Sequence, residues 1–177
     1  MELTREPLQN NKIKTMKKIA SIISIAFLGL VLLNSCEKEY EQEELPGFKL
    51  SGEWYVQTYY QDTSTKVLGY NKILTYNTAD ADGKQLWVDD LGSIWPFKVR
   101  VSSNSEANSF SGTGTNAHMA DTTMVTIAGG RVWENGTKST SGVTTDSIYM
   151  EAEFSDDPGE KYIFAGYYRT GFVEDEH

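Results

Sequence analysis

The chain has 177 residues, of which 39% are hydrophobic and 23% charged, a composition typical of one folded domain rather than a disordered or multi-span membrane protein. The 25 acidic residues outnumber the 16 basic ones, and the net charge of −9 argues against nucleic acid as a partner, because phosphates attract a basic surface. One cysteine predicts no internal disulfide, two histidines leave little room for a transition-metal centre, and no cofactor is predicted.

Residues 1–35 predict an export signal. Five basic residues lie in the first 18, directly before the uncharged run Ile19–Leu33. That run is too short for a transmembrane helix, which needs about 20 apolar residues, and it has the length of a signal-peptide core, about 7–15 residues. Met16-Lys17-Lys18 has the form of a natural start, so residues 1–15 are expected to lie upstream of the true first residue.

A lipid anchor is predicted immediately after the apolar run. Leu33-Asn34-Ser35-Cys36 resembles the lipobox of bacterial lipoproteins, which implies cleavage before Cys36 and acylation of its thiol and amine. Several acyl chains hold a protein stably at a bilayer, whereas a single chain binds only marginally. The alternative is an ordinary cysteine beside a plain signal peptide.

An acidic tether follows the cysteine. Five of the eight residues after Cys36 are Glu, and charge of this density keeps a chain solvated and extended, so residues 36–47 are expected to link the anchor to a folded domain. The acidic stretch also resembles the surface-export signal of Bacteroidetes lipoproteins. That resemblance implies display on the outer face of the outer membrane.

Residues 48–177 predict an all-β domain of eight or nine short strands. Apolar and polar residues alternate over Trp95–Val101 and Ile148–Phe154, as in strands with one buried face. Other segments are rich in Thr, Val, Ile, Tyr and Trp, which favour strands: Glu53–Tyr60, Leu68–Tyr76, Gln85–Asp89, Ser109–Gly114, Met124–Ala128, Arg131–Glu134 and Lys161–Tyr168. The poorly patterned stretch Ser102–Ala120 leaves room for one short helix.

Tight turns are predicted between these strands, where Gly supplies a positive φ. They lie at Asp82-Gly83, Gly129-Gly130, Asn135-Gly136 and Asp157-Pro158-Gly159, with further polar turns at Ser111-Gly112 and Ser141-Gly142. Short strands with tight turns predict a barrel or a sandwich. A closed barrel is favoured because it leaves no exposed edge on a protein displayed at high local concentration.

Gly52-Glu53-Trp54 resembles the Gly-X-Trp of lipocalin barrels, whose Trp plugs the closed end. With Leu50–Val56 and Gly166–Phe172, it makes residues 48–172 resemble the Bacteroidetes lipid-binding putative hydrolases, lipoproteins with a lipocalin-like, calycin-type barrel. The resemblance implies an up-and-down barrel of about eight strands, lipid binding and hydrolysis. It brings no catalytic residue with it.

Catalytic candidates are few. His118 is the candidate base because the only other imidazole is at His177, and no Gly-X-Ser-X-Gly motif is present; the alternative for His118 is an ordinary loop position. Glu151 and Glu153 have the spacing of about 7 Å that paired carboxylates use in glycoside hydrolysis. Their alternation with apolar residues instead favours a solvated outer face.

A calcium loop is weakly suggested by Asp80-Ala81-Asp82-Gly83. The later ligand positions of such a loop hold Lys84 and Leu91, so a hairpin turn is favoured. Asp89-Asp90 could still add oxygens to an irregular site.

Aromatic residues give the remaining signal. If the first and last strands are neighbours, their tyrosines form one patch, with polar-tipped rings suited to sugars or amphipathic ligands; ordinary core packing is the alternative. The candidate ligand-binding residues are Trp54, Tyr55, Tyr59, Tyr60, Tyr167 and Tyr168, with Tyr162 beside them.

Three functions remain open on this evidence. The leading hypothesis is a lipoprotein barrel, anchored in the membrane through Cys36, that binds a small apolar or amphipathic ligand. The second is a surface glycan-binding module that works with an outer-membrane transport partner. The third is a hydrolase of lipid or ester substrates, which rests on the family resemblance alone.

Overall fold

The computed structural model describes residues 14–20, 45–118 and 122–177. The chain forms two units, residues 1–42 and 43–177. In the first unit, residues 14–20 are helical; Cys36 and most of the acidic tether lie outside the described residues. No helix within the described ranges is both long and apolar enough to cross a bilayer.

Residues of the second unit form a closed barrel of eight antiparallel strands in up-and-down order. The strands are β1 (Gly52–Tyr60), β2 (Lys66–Asn77), β3 (Gln85–Asp89), β4 (Lys98–Asn104), β5 (Ser109–Thr115), β6 (Met124–Lys138), β7 (Thr144–Phe154) and β8 (Lys161–Tyr168), flanked by 3-10 turns at Phe48–Leu50 and Val173–Asp175. The wall closes because β1 pairs with β8 from Trp54↔Tyr168 to Tyr60↔Tyr162. The predicted all-β barrel is therefore confirmed.

The barrel interior is filled by apolar side chains from alternate positions of the strands. On β7, Ile148, Met150 and Phe154 are almost fully buried in this core. Glu151 and Glu153 lie between them, half-exposed on the outer face, as the alternation predicts. The other strands alternate in the same way, so every second strand residue lies on the outside of the barrel.

Trp54 seals one end of the barrel, which we call the closed end. Its indole Nε1 donates a hydrogen bond to Thr75 Oγ1 over 2.7 Å, and the Thr75 hydroxyl donates to the Leu50 carbonyl. Trp54 and Leu50 are both 0% exposed. The 3-10 turn before β1 is thus fixed beneath the barrel by the tryptophan that the Gly-X-Trp resemblance placed there.

Two predicted strands are one strand in the structure. Gly129-Gly130 and Asn135-Gly136, both predicted as turns, lie inside β6, and the chain reverses only beyond Lys138. Gly130 pairs with Phe110, and a Cβ atom at Gly130 would lie 2.5 Å from the Phe110 ring. Glycine is therefore needed at position 130 because the backbone passes close to the Phe110 ring. The irregular pairing between Ala128 and Arg131 bends the strand without ending it.

Three further predictions near the middle of the chain are wrong. Trp95–Phe97 precede β4 instead of opening it, because Pro96 cannot join a ladder and neighbouring N–H groups bond elsewhere. Ser111-Gly112 lies within β5. The short helix is not found in the described part of its segment, residues 102–118, where β4 ends and β5 runs.

Candidate functional site

The end opposite the closed end is called the mouth. Here β1 ends at Tyr60 and β2 begins at Lys66. Residues 90–97, which join β3 to β4 and are named the cap loop, pack against the barrel core through Ile94 and Trp95. The cap loop therefore covers the interior where a lipocalin-like barrel would open.

Asp90 holds the cap loop in shape. Its carboxylate is 0% exposed and accepts hydrogen bonds from four backbone N–H groups, of Gly92 (2.8 Å), Ile94 (3.0 Å), Trp95 (2.8 Å) and Phe97 (2.9 Å). A buried carboxylate is costly unless it is hydrogen-bonded in this way. Both carboxylate oxygens already accept hydrogen bonds from the protein's own backbone. The structure therefore does not support Asp90 as a calcium ligand.

Aromatic rings fill the mouth beneath the cap loop. Trp95 stacks on Phe154 with ring centroids 5.2 Å apart and lies 5.5 Å from Tyr162, which in turn lies 5.7 Å from Tyr60. Tyr60 is 40% exposed, whereas Tyr162 is buried. We name this group, Tyr60, Trp95, Phe154 and Tyr162, the aromatic plug.

Polar interactions within the plug are limited. The Tyr162 hydroxyl donates to Asp157, and burial followed by this hydrogen bond raises the pKa of Tyr162 far above its ordinary value. The phenol is therefore neutral at any physiological pH. The plug presents apolar ring faces with hydroxyl groups at its edge.

The predicted aromatic patch is split in two by the strand pleat. The pairing of β1 with β8 that was expected to gather the tyrosines is present. Trp54 and Tyr168 take interior positions at the closed end, where their rings meet edge to face with centroids 5.2 Å apart, and Tyr60 takes an interior position at the mouth. Tyr59 lies outside, half-exposed, with Lys66 Nζ 5.9 Å above its ring.

The outer pair, Tyr55 and Tyr167, is buried beneath the C-terminal residues of the chain. His177 stacks on Tyr70 at 4.3 Å, presents its edge to Tyr55 at 5.0 Å, and its Nε2 lies 2.7 Å from the Tyr167 hydroxyl. Tyr55 donates to Glu176 over 2.6 Å, and burial together with this bond raises the pKa of Tyr55. These rings hold the terminal segment rather than forming an open platform.

Asp175 anchors the same segment to the turn between β6 and β7. The carboxylate is 0% exposed and accepts hydrogen bonds from the hydroxyls of Thr140, Ser141 and Thr170 and from the Ser141 N–H. Burial alone would raise its pKa, but these bonds outweigh it and hold the pKa of Asp175 well below its ordinary value. Ser141-Gly142 forms the predicted turn.

The candidate base His118 is exposed, and its backbone N–H donates to Asn116 Oδ1 over 3.0 Å. Asp82 lies in the turn between β2 and β3, as the hairpin interpretation predicts, where its carboxylate accepts the Lys84 N–H. Within residues 14–20, 45–118 and 122–177, no three His, Cys, Asp or Glu side chains gather as metal ligands.

Two clefts on the barrel surface are not indicated by the sequence pattern. One, of about 590 Å³, lies across β3, β4 and β5; its polar and aromatic lining comes from Gln85, Trp87, Arg100, Ser102, Thr113 and Thr115. The other, of about 370 Å³, lies near the closed end and is lined by Phe48, Lys49, Glu134, Asn135, Asp146 and Tyr168. The alternation of apolar and polar residues places Trp87 and Arg100 on the outside of the barrel, but it does not predict a cleft beside them.

Comparison with known proteins places the fold in a family. Residues 39–173 match the family model described as Lipid-binding putative hydrolase, well over half of the chain. The chain belongs to this family. No curated protein matches the chain. The range matched by the lipid-binding putative hydrolase model includes all eight strands and the cap loop, whereas Asp175 and His177 lie beyond it.

Proposed function

We propose that this protein binds a small amphipathic ligand, a lipid, at the mouth of its barrel. The observation that carries the proposal is the aromatic plug, in which Trp95 of the cap loop packs against Phe154 and Tyr162 of the strands. Ligand sites are concave and mostly apolar, with a few polar groups that orient the ligand. The family description supports the same ligand class.

The ligand enters by displacing the cap loop. The interior is already occupied by side chains such as Phe97 and Phe164, so an acyl chain takes the place of Trp95 and Ile94 against Phe154. Leu91 and Gly92 both have positive φ, 56° and 72°, and lie at the start of the loop, where a change of backbone angle moves everything after it.

Polar groups at the rim suit the head of such a ligand. Tyr60 is 40% exposed, so in this proposal its ring contacts the chain and its phenol faces the head, beside the Tyr162 hydroxyl that donates to Asp157. Burial of the chain supplies the affinity, at about 25 cal/mol for each Å² of apolar surface removed from water.

The barrel works at a membrane in this proposal. An acylated Cys36 anchors it in the outer membrane, and the acidic tether of residues 36–47 carries it on the outer face, within reach of lipids. The family description also names hydrolysis. For that activity, no hydrogen bond within the described residues joins the His118 ring to a hydroxyl or carboxylate.

The test is the lipid content of the purified lipoprotein. Lipids extracted from wild-type protein, a Trp95→Glu variant and a Trp133→Glu variant are identified and quantified by mass spectrometry. Trp133 is 43% exposed on the outer wall and serves as the matched control. We expect one class of lipid bound near equimolar amounts in the wild type and the Trp133 variant, and at least tenfold less in the Trp95 variant. Equal lipid in all three proteins would contradict binding at the mouth.

A further inference from the structure

The larger outer cleft has features of a second binding site. We name it the seam cleft; its lining side chains come from Gln85, Trp87, Arg100, Ser102 and Thr113, among others. Its volume of about 590 Å³ lies in the range of small-molecule sites, about 300–1,000 Å³. It lies on the outer face of the wall, whereas the aromatic plug lies inside the mouth.

The floor of the seam cleft lies where the pairing of β4 with β5 is irregular. The ladder between β4 and β5 covers only Ser102↔Ser111 to Asn104↔Ser109, although both strands run on for four more residues. Gly112 and Gly114 line this unpaired stretch without side chains. The two strands stay in close contact here, since a Cβ atom at Gly114 would lie 3.2 Å from the Arg100 carbonyl oxygen, and the two glycines leave backbone accessible to a ligand.

Arg100 places a positive charge in the lining of the seam cleft, in a protein of net charge −9. Arg100 lies over the Trp87 ring with its guanidinium carbon 5.9 Å from the centroid, and Lys98 Nζ lies 5.1 Å from the same centroid. Lys98 pairs with Asp89 over 3.6 Å. In the described part of the chain, the ion pairs found include none to Arg100, so its charge is available to a ligand.

Hydrogen-bonding groups that suit hydroxyls surround this charge. The Gln85 amide and the Ser102 and Thr113 hydroxyls each offer a donor and an acceptor. Thr113 already shares one hydrogen bond with Thr126, at 2.9 Å, and keeps capacity for another. Together with the indole of Trp87, this lining matches a ring that carries several hydroxyls and one anionic group.

We propose that the seam cleft binds an acidic sugar, a uronic acid unit of a glycan. The planar guanidinium of Arg100 takes the sugar carboxylate, for which its two parallel N–H groups are suited. Gln85, Ser102 and Thr113 bond the sugar hydroxyls, and Trp87 packs against the ring. The inference does not depend on lipid binding at the mouth, because the two sites share no residue.

Calorimetric titration of the full lipoprotein in detergent tests this site. The ligands are trigalacturonate, the neutral sugar maltotriose and inorganic phosphate, and the variants are Arg100→Gln and Arg131→Gln. Arg131 is the matched control, because it also lies over an exposed indole, 5.5 Å from the Trp133 centroid, and does not line the cleft. Thermal melts establish that each variant is folded.

We expect trigalacturonate to bind at least tenfold more tightly than maltotriose or phosphate. Arg100→Gln lowers this affinity about tenfold or more, and Arg131→Gln changes it less than twofold. A second substitution, Thr113→Val, weakens binding about threefold to tenfold without changing net charge. The proposal is overturned by absence of trigalacturonate binding, by equal losses in the two arginine variants, or by phosphate binding as tightly as the sugar acid.

Discussion

Tyr55 and Tyr167 face each other across the pairing of β1 with β8, with ring centroids 6.1 Å apart, and both are buried on the outside of the barrel. What buries them is the C-terminal segment, whose His177 contacts both rings. The closure of the barrel and the docking of the terminal residues are therefore one structural unit. Its stability depends on the carboxylate of Asp175, which fixes the segment to the β6–β7 turn.

The first prediction is an acid dependence of stability that Asp175 causes. Its pKa is lower in the folded protein than its ordinary value of 3.8, so the folded state binds fewer protons. The stabilisation is therefore fully present above about pH 5 and is lost as the pH falls through the folded-state pKa. Urea denaturation of wild type and Asp175→Asn from pH 7 to pH 2 measures this.

The difference in midpoint between wild type and Asp175→Asn is expected to be constant above about pH 5 and to shrink below about pH 4. Asp156→Asn, at an exposed position between β7 and β8, is the control and should leave the wild-type pH profile unchanged. A midpoint difference that stays the same down to pH 2 would rule out Asp175 as the source.

The second prediction concerns the closed end. Trp54→Phe removes the indole donor and leaves the buried Thr75 hydroxyl with one partner fewer. The free energy of unfolding should fall by about 1–3 kcal/mol. The exposed Trp133→Phe should change it by about 0.5 kcal/mol or less. Chemical denaturation compares them, and equal effects would mean that Trp54 does not seal the barrel.

The third prediction concerns the closing pair of strands. A Cβ atom at Gly166 would lie 1.9 Å from the Tyr55 carbonyl oxygen, so β1 and β8 must separate to accept a methyl group. Gly166→Ala should cost about 3 kcal/mol or more. At Gly69 a Cβ atom would meet nothing within 4 Å, and Gly69→Ala should stay within about 1 kcal/mol of wild type. Similar denaturation midpoints for the two variants would count against this register.

Local sequence patterns predict the strands but not the contacts between distant ones. The alternation over Ile148–Phe154 predicts β7 because every residue in that segment has the burial that a pleated strand gives it. Gly129-Gly130 has the composition of a turn, and only its position opposite Phe110 explains why the strand continues. Pairing across the sheet is set by the whole barrel, and a short segment does not carry that information.

The candidate sites show the same difference between features that local sequence predicts and features that depend on contacts between distant residues. The tyrosines of β1 and β8 are correctly expected to be neighbours, because a closed barrel brings its first and last strands together. Their division between the two faces follows from the pleat. The burial of Tyr55 depends on Glu176, 121 residues away in the chain, and no local signal indicates that contact. The seam cleft lies where the pairing of β4 with β5 is irregular, which composition does not reveal.

The fourth prediction concerns the anchor. In cells given radiolabelled palmitate, wild-type protein should be labelled and should sediment with the outer membrane, because several acyl chains hold a protein there. Cys36→Ala should lose both the label and the membrane association. Ala107→Ser, at an exposed position between β4 and β5, is the control and should behave as wild type. Label or sedimentation retained by Cys36→Ala would exclude lipidation at this cysteine.

The most direct test of ligand binding at the mouth is quenching of tryptophan fluorescence by a brominated fatty acid. Bromine quenches only an indole that it approaches closely, and the chain has four Trp, at 54, 87, 95 and 133. We expect saturable quenching in wild type and in Trp87→Phe, and loss of most of it in Trp95→Phe. Quenching that survives in Trp95→Phe, or none in wild type, would contradict entry of the lipid beneath the cap loop.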